Sequence, residues 1–97
     1  MEKLALLATL EAKPGKEEEV AEFIKSVLPM VQQETETIKW YGLRIGPSTF
    51  GIFDTFSQED ARLSHLNGAV AQMLIAKASY LLAKAPAIVQ VELLAVK

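Results

Sequence analysis

The amino-acid sequence predicts an α+β fold whose six elements follow one another in the order β-α-β-β-α-β. Two observations predict it. Short apolar or β-branched runs of strand length alternate with longer stretches in which apolar residues recur at helical spacing. Gly, Pro and Asn residues separate these segments. The order is typical of the split-βαβ, ferredoxin-like arrangement, an antiparallel four-stranded sheet with helices on one face.

The first half of the chain predicts one strand and one long helical stretch. Leu4–Leu10 is a short apolar run, which residues 12–15, Ala-Lys-Pro-Gly, end as a loop. Residues 16–36 then carry an apolar stripe at helical spacing. Pro29 lies inside this stripe and predicts a kink or a break, because proline removes a backbone donor. The stripe comprises Val20, Phe23, Ile24, Val27, Leu28 and Val31.

A hairpin and a helix start follow. Thr37–Ile45 and Thr49–Phe56 are rich in β-branched and aromatic residues and flank a Gly-Pro-Ser turn. Residues 57–60, Ser-Gln-Glu-Asp, are typical of a capping box that opens a helix running to about Leu66.

The end of the chain predicts a second helical segment and a last strand. Asn67-Gly68 interrupts the helical pattern, and the second segment ends before Pro86. Ala87–Val96 is predicted as the last strand. Side chains alternate between the two faces of a strand. We expect the face that meets the helices to carry Val89, Val91, Leu93 and Ala95.

Composition bounds the class of protein. The 97 residues are expected to form a single domain, residues 1–97. Ten basic and 12 acidic residues give a net charge of −2, which does not favour a nucleic-acid or anionic-membrane partner. The absence of cysteine excludes a thiolate metal site, and the single histidine excludes a metal site built from several histidines. No apolar stretch approaches the roughly 20 residues of a spanning helix, so we expect no membrane partner and a cytoplasmic protein.

The apolar content of 51% is high for so short a chain. The surplus lies partly on the second face of the predicted sheet, where Ala5, Leu7, Ile88, Leu94 and Val96 are expected. A face this apolar does not suit contact with water. We therefore expect a homodimer in which this open sheet face packs on the same face of a second copy.

Several segments together resemble one family. They are Ala12-Lys13-Pro14-Gly15-Lys16 after the first strand, Trp40-Tyr41 after the first helix, residues 50–56, Phe-Gly-Ile-Phe-Asp-Thr-Phe, and the acidic helix start that leads into His65-Leu66. In this order and spacing they resemble the antibiotic biosynthesis monooxygenase family of dimeric α+β barrels. The resemblance covers essentially the whole chain.

The resemblance implies a homodimer with a small-molecule pocket between sheet and helices in each subunit. Some relatives oxygenate quinols or aromatic polyketides without metal or flavin, and others degrade haem or perform other reactions. The expectation is an oxidoreductase, a cofactor-free monooxygenase acting on a quinol-like or phenolic molecule. The alternatives are a non-catalytic dimeric binding protein of the same fold and a haem-binding or haem-degrading protein. Haem turnover is less favoured, because the resemblance to haem-degrading relatives implies an asparagine on the first strand, and Leu4–Leu10 contains none.

His65 is the candidate catalytic residue. It occupies the position of the family's His-Leu pair, and its side chain is the only one whose ordinary pKa lies near neutrality. We expect it to act as the base that deprotonates the substrate. A capping or surface histidine is the structural alternative.

Aromatic and charged residues of the hairpin are the candidate substrate-binding residues. Trp40 is predicted to stack on a planar substrate while Arg44 steadies an anionic oxygen, and Tyr41 and Phe53 are predicted to line the pocket. Packing in the core or the dimer interface is their alternative role. Gly42, between Trp40 and Arg44, predicts either a pocket floor or close backbone packing.

Asp54 is an acidic residue inside an apolar strand. It is predicted to contribute to the substrate site, either by holding His65 in one tautomer or by pairing with Arg44 or Arg62. Arg62 is expected to be a salt-bridging surface residue.

Overall fold

Four strands and four helices make up the computed structural model, which describes residues 1–97. The elements are β1 (Leu4–Glu11), α1 (Glu17–Ser26), α2 (Leu28–Gln32), β2 (Thr37–Arg44), β3 (Thr49–Phe56), α3 (Glu59–Leu66), α4 (Ala69–Leu81) and β4 (Ala87–Glu92). The first helical part of the predicted order corresponds to α1 and α2, and the second to α3 and α4. The predicted β-α-β-β-α-β order is confirmed.

The strands form one antiparallel sheet in the order β2-β3-β1-β4. Residues directly opposite one another share a face of the sheet. Leu6 of β1 lies opposite Asp54 of β3 and Gln90 of β4, and Asp54 in turn lies opposite Trp40 of β2. These four side chains therefore form one row across the face that the helices cover.

The main core lies between that face and the helices. Leu10, Val20, Val27 and Phe50 are almost completely buried in it. All of the predicted stripe of residues 16–36 is buried except Leu28, which is 42% exposed. A second, smaller cluster lies under α3 and contains Leu6, Phe56 and Ala61.

Pro29 breaks the first helical stretch rather than kinking it. Helix α1 ends at Ser26 and α2 begins at Leu28, which places Pro29 in the first turn of α2. The first N–H groups of a helix have no partner within the helix, so proline is tolerated there. The prediction of a kink or a break is thus resolved in favour of a break.

The prediction for β4 was wrong in two respects. The strand ends at Glu92, opposite Leu4, because β1 offers no strand residues beyond that point. Its faces are also reversed: Ile88 lies opposite Ala8 on the helix side, while Val89 lies beside Leu7 on the open side. Both faces of this segment are apolar, so the sequence pattern does not fix its register.

The predicted capping box at residues 57–60 was also wrong. Gln58, in an extended conformation, is the N-cap residue of α3, and no side chain caps this end. Helix α3 nevertheless ends at Leu66, and Asn67-Gly68 separates it from α4 as predicted.

The open face of the sheet carries an apolar surface, formed by Leu7, Tyr41, Leu43, Phe53 and Val89. Tyr41 and Phe53 stack with ring centroids 6.5 Å apart, and Val89 is 54% exposed. No helix has both the length and the hydropathy that crossing a bilayer requires.

Gly42 serves close packing between α1 and the sheet. A Cβ at this position would lie 2.4 Å from Cγ2 of Ile24. That methyl group is attached to the branched Cβ of Ile24 and has little rotational freedom in a helix. The structure therefore favours close backbone packing over a pocket floor.

We predict that Gly42→Ala destabilises the fold by about 1–3 kcal/mol, because the added methyl group forces α1 away from β2. The measurement is the free energy of unfolding in urea. Gly46→Ala is the matched control, since its Cβ would meet only Thr49, at 4.0 Å. Equal effects of the two substitutions would contradict this account.

Candidate functional site

His65 lies between two carboxylates. Its Nδ1 is 2.6 Å from Oε1 of Glu34, and its Nε2 is 2.9 Å from Oδ2 of Asp54. The histidine is 9% exposed and Asp54 is 1% exposed. Both ring nitrogens donate a hydrogen bond at the same time only in the imidazolium form. The arrangement is therefore that of a buried imidazolium paired on both sides.

Three separate parts of the chain bring these groups together. Asp54 points to the helix side from β3, His65 lies in the last turn of α3, and Glu34 lies in the connection between α2 and β2. The His65 ring packs against Phe56 with centroids 5.5 Å apart. Thr37 Oγ1 donates to Glu34 Oε1 at 2.7 Å and so fixes that carboxylate. The site thus depends on the sheet, α3 and the α2–β2 connection together.

The pKa of His65 reflects opposing effects. Burial disfavours the charged form and by itself lowers the pKa. Hydrogen bonding and the negative charge of Asp54, followed by those of Glu34, act in the opposite direction and outweigh burial. The net result is that the pKa of His65 is raised above its usual value.

Two spaces meet at His65. An outer cleft of about 520 Å³ is lined by Glu34, Thr37 and other residues of the α2–β2 connection and the α3–α4 junction. An inner cavity of about 50 Å³ lies between the sheet and the helices, and its lining is mostly apolar but includes Trp40, Asp54 and His65. His65 therefore lies between an open outer cleft and an apolar interior.

Two buried polar atoms beside the inner cavity have no hydrogen-bond partner, namely Trp40 Nε1 and Asp54 Oδ1. Both residues line the cavity. An unpaired buried donor or acceptor costs about 1–3 kcal/mol, so such atoms call for an explanation.

The structure brings together only part of the predicted site. Trp40, Asp54 and His65 meet at the inner cavity. Tyr41 and Phe53 lie on the open face, on the other side of the sheet from His65. Their predicted role in substrate binding stays a prediction.

Arg44 also lies away from His65. Its guanidinium pairs with Glu18 at 2.9 Å and lies 4.8 Å from the centre of the Phe50 ring. Its predicted role toward an anionic substrate oxygen likewise stays a prediction.

Of the partners proposed for Asp54, the structure shows His65 and neither arginine. Arg62 does form an ion pair, with Glu59 at 2.5 Å, but it is buried rather than on the surface. Its guanidinium donates to the backbone oxygens of Ala5 and Val91 and so ties α3 to β1 and β4. The Arg62 side chain is long enough to reach the backbone of the sheet. Its position on a short helix did not show that its guanidinium would be buried there.

Glu34 is the residue that the sequence analysis missed. It is 31 positions from His65, and acidic residues are frequent in this part of the chain. The only sequence feature that marks Glu34 is its position just before β2. Glu36 shares that position, so the sequence does not distinguish the two. No group of three His, Cys, Asp or Glu side chains is arranged to hold a metal ion.

We predict that the protein loses stability as the pH rises through the raised pKa of His65. Folding raises this pKa, so the stabilisation is complete below the unfolded-state value of about 6.5 and declines from there until the pH has passed the raised value of the folded state. The measurement is the free energy of unfolding at a series of pH values, for wild type and His65→Gln. Because His65 is the only histidine, the variant should lack this fall. Parallel profiles for the two proteins would contradict the prediction.

Comparison with known proteins places this geometry among solved structures. No protein-family model and no curated protein matches the chain. A protein of unknown function from Nitrosomonas europaea is 52% identical, with a TM-score of 0.97, over 100% of this chain and 94% of that one.

More distant structures share the fold. A protein from Pseudomonas aeruginosa is 21% identical, with a TM-score of 0.82, over 98% of this chain and 97% of that one. An antibiotic biosynthesis monooxygenase is 14% identical, with a TM-score of 0.81, over 95% of this chain and 99% of that one. The chain therefore belongs to the same family as the Nitrosomonas europaea protein and has the fold of the antibiotic biosynthesis monooxygenases.

Proposed function

We propose that this chain is a cofactor-free monooxygenase that acts on a quinol-like or phenolic small molecule. The observation that carries the proposal is the unpaired Asp54 carboxylate oxygen, buried beside the Trp40 indole N–H at an apolar cavity. The shared fold with an antibiotic biosynthesis monooxygenase supports the reaction class.

Such a reaction needs an electron-rich substrate that reduces dioxygen once it has lost a proton. The site must supply a proton acceptor, a donor for the substrate oxyanion and exclusion of water. Asp54 Oδ1 is the acceptor, the Trp40 N–H is the donor, and the apolar lining excludes water. The substrate O–H bond breaks, the proton joins Asp54 and the electron pair stays on the substrate oxygen.

We propose for His65 a role that differs from the expected one. Both of its ring nitrogens are already paired, so it has no free nitrogen to accept a substrate proton. Transfer of the Nδ1 proton to Glu34 would leave a neutral imidazole beside Asp54 and so remove the positive charge that this carboxylate faces. We therefore propose His65 as the group that positions and tunes Asp54, with Glu34 as the temporary proton holder.

A non-catalytic binding protein is the second candidate. It is favoured by the size of the inner cavity, because about 50 Å³ is far below the roughly 300–1,000 Å³ of typical ligand pockets and does not enclose a whole phenol. A reaction that must exclude water needs such an enclosure, whereas binding one polar group of a ligand does not. Haem is not favoured by the geometry, since neither nitrogen of His65 is free to bind iron and the cavity is too small for a macrocycle.

We also propose that the protein works as a homodimer joined through the open sheet face. Tyr41, Leu43 and Val89 are exposed there without a partner. The surface belongs to a single sheet face, so two copies can pack on a twofold axis.

The dimer is tested by sedimentation at micromolar concentration. Wild type should sediment with twice the mass of the 10.6 kDa chain. Val89→Glu should shift the protein toward the monomer, because it places a charge in the apolar face. Ile75→Glu is the matched control, since Ile75 is 64% exposed on α4, away from that face. A wild-type monomer would contradict the proposal.

The monooxygenase is tested by oxygen uptake with a panel of quinols and phenols, in the presence of a chelator and with autoxidation subtracted. We expect uptake by wild type and a loss of about a hundredfold or more in Asp54→Asn, which removes the proton acceptor. Glu22→Gln, a carboxylate-to-amide change at an exposed residue, should match wild type.

Two results would decide against this account. If compounds of the panel bind but none is consumed, the protein is the non-catalytic binder. If Asp54→Asn turns over like wild type, Asp54 is not the proton acceptor.

A further inference from the structure

The two unpaired atoms beside the inner cavity are of opposite kinds. The indole Nε1–H of Trp40 is only a donor, and the ionised Asp54 carboxylate is only an acceptor. Trp40 and Asp54 lie directly opposite each other on β2 and β3, so their side chains are neighbours on one face. A group that satisfies both must accept one hydrogen bond and donate another.

A hydroxyl group meets this requirement, and so does a water molecule. Carbonyl and ether oxygens accept but do not donate, so they leave Asp54 Oδ1 unpaired. Ammonium groups donate but do not accept, so they leave the Trp40 N–H unpaired. The pair is therefore selective by chemistry for a hydroxyl group over these alternatives.

The size of the cavity agrees with a group of this kind. About 50 Å³ is enough for a hydroxyl and the carbon atoms next to it, whereas a cavity of about 150 Å³ is needed to enclose benzene. Most lining residues are buried, but Ile88 on the edge strand β4 is 47% exposed. The body of a ligand can therefore leave the cavity past Ile88, over the edge of the sheet.

We propose that Trp40 and Asp54 form a subsite that recognises a ligand hydroxyl, with the Trp40 N–H donating to its oxygen and Asp54 Oδ1 accepting its proton. The subsite rests on the proposed function only for the choice of a phenolic ligand. Binding of the hydroxyl group itself requires no turnover. It makes Trp40 and Asp54 the residues that set specificity, and it disfavours ketones, ethers and ammonium groups at the deepest position.

The test uses the indole N–H signal of Trp40, the single tryptophan, in ¹⁵N-labelled protein. The protein is titrated with phenol and, separately, with its methyl ether anisole, which keeps the ring but cannot donate. Phenol should shift the signal saturably and bind at least about tenfold more tightly, because anisole leaves Asp54 Oδ1 unpaired. Equal affinities, or a signal that neither compound moves because the cavity holds water only, would overturn the proposal.

A second variant tests the chemistry in the opposite direction. In Asp54→Asn the amide oxygen can keep the bond to His65, which turns an NH₂ donor toward the cavity beside the Trp40 N–H. Two donors favour a carbonyl, so this variant should prefer cyclohexanone to cyclohexanol, and wild type should prefer cyclohexanol. An unchanged preference in a folded variant would contradict the assignment to Asp54.

Binding and oxygen uptake separate the two proposals. Selective binding of phenol without oxygen uptake from any compound would reject the monooxygenase and leave the hydroxyl subsite in place. Oxygen uptake with equal binding of phenol and anisole would reject the subsite and leave the monooxygenase in place.

Discussion

The pairing of one buried imidazole with two carboxylates holds the functional part of this fold together. Taking an ion out of water costs several kcal/mol, and only well-placed partners offset that cost. Glu34 and Asp54 meet this condition at 2.6 and 2.9 Å. Because the three groups come from β3, α3 and the α2–β2 connection, the ion pairs require all three to take their observed positions.

This constraint also divides the space around it. With His65 in place, the open cleft that Glu34 lines is separated from the apolar cavity that Trp40 lines. The same pairing uses one oxygen of Asp54 and leaves the other without a partner. A buried carboxylate oriented in this way is therefore available to a ligand, and the cost of leaving it unpaired is the physical basis for selectivity.

Much of the architecture follows from sequence periodicity. The helical stripe from Val20 to Val31, the hairpin and the break at Pro29 all have local causes, and local causes are legible in sequence. The register of β4 was not predictable in this way, since Ile88 and Val89 are equally suited to a buried face. Hydrogen bonding to β1 decides between them.

The site was predictable only in part. His65, Asp54 and Trp40 stand out by residue type, and the fold brings them together. Glu34 does not stand out, because its role depends on a contact across 31 residues. Tyr41 and Phe53 were predicted to line the pocket as aromatic residues of the same hairpin, but the structure places them on the face of the sheet opposite Trp40. Distance along the chain is a poor guide where side chains alternate.

The central claim is that His65 is held as an imidazolium by two carboxylates, and ¹⁵N NMR of the imidazole ring tests it most directly. At neutral pH the account predicts that both ring nitrogens carry protons and that each shows a hydrogen-bonded N–H signal. Substituting Glu34→Gln should change the Nδ1 signal more than the Nε2 signal. A neutral ring at neutral pH, with one unprotonated nitrogen, would contradict the account.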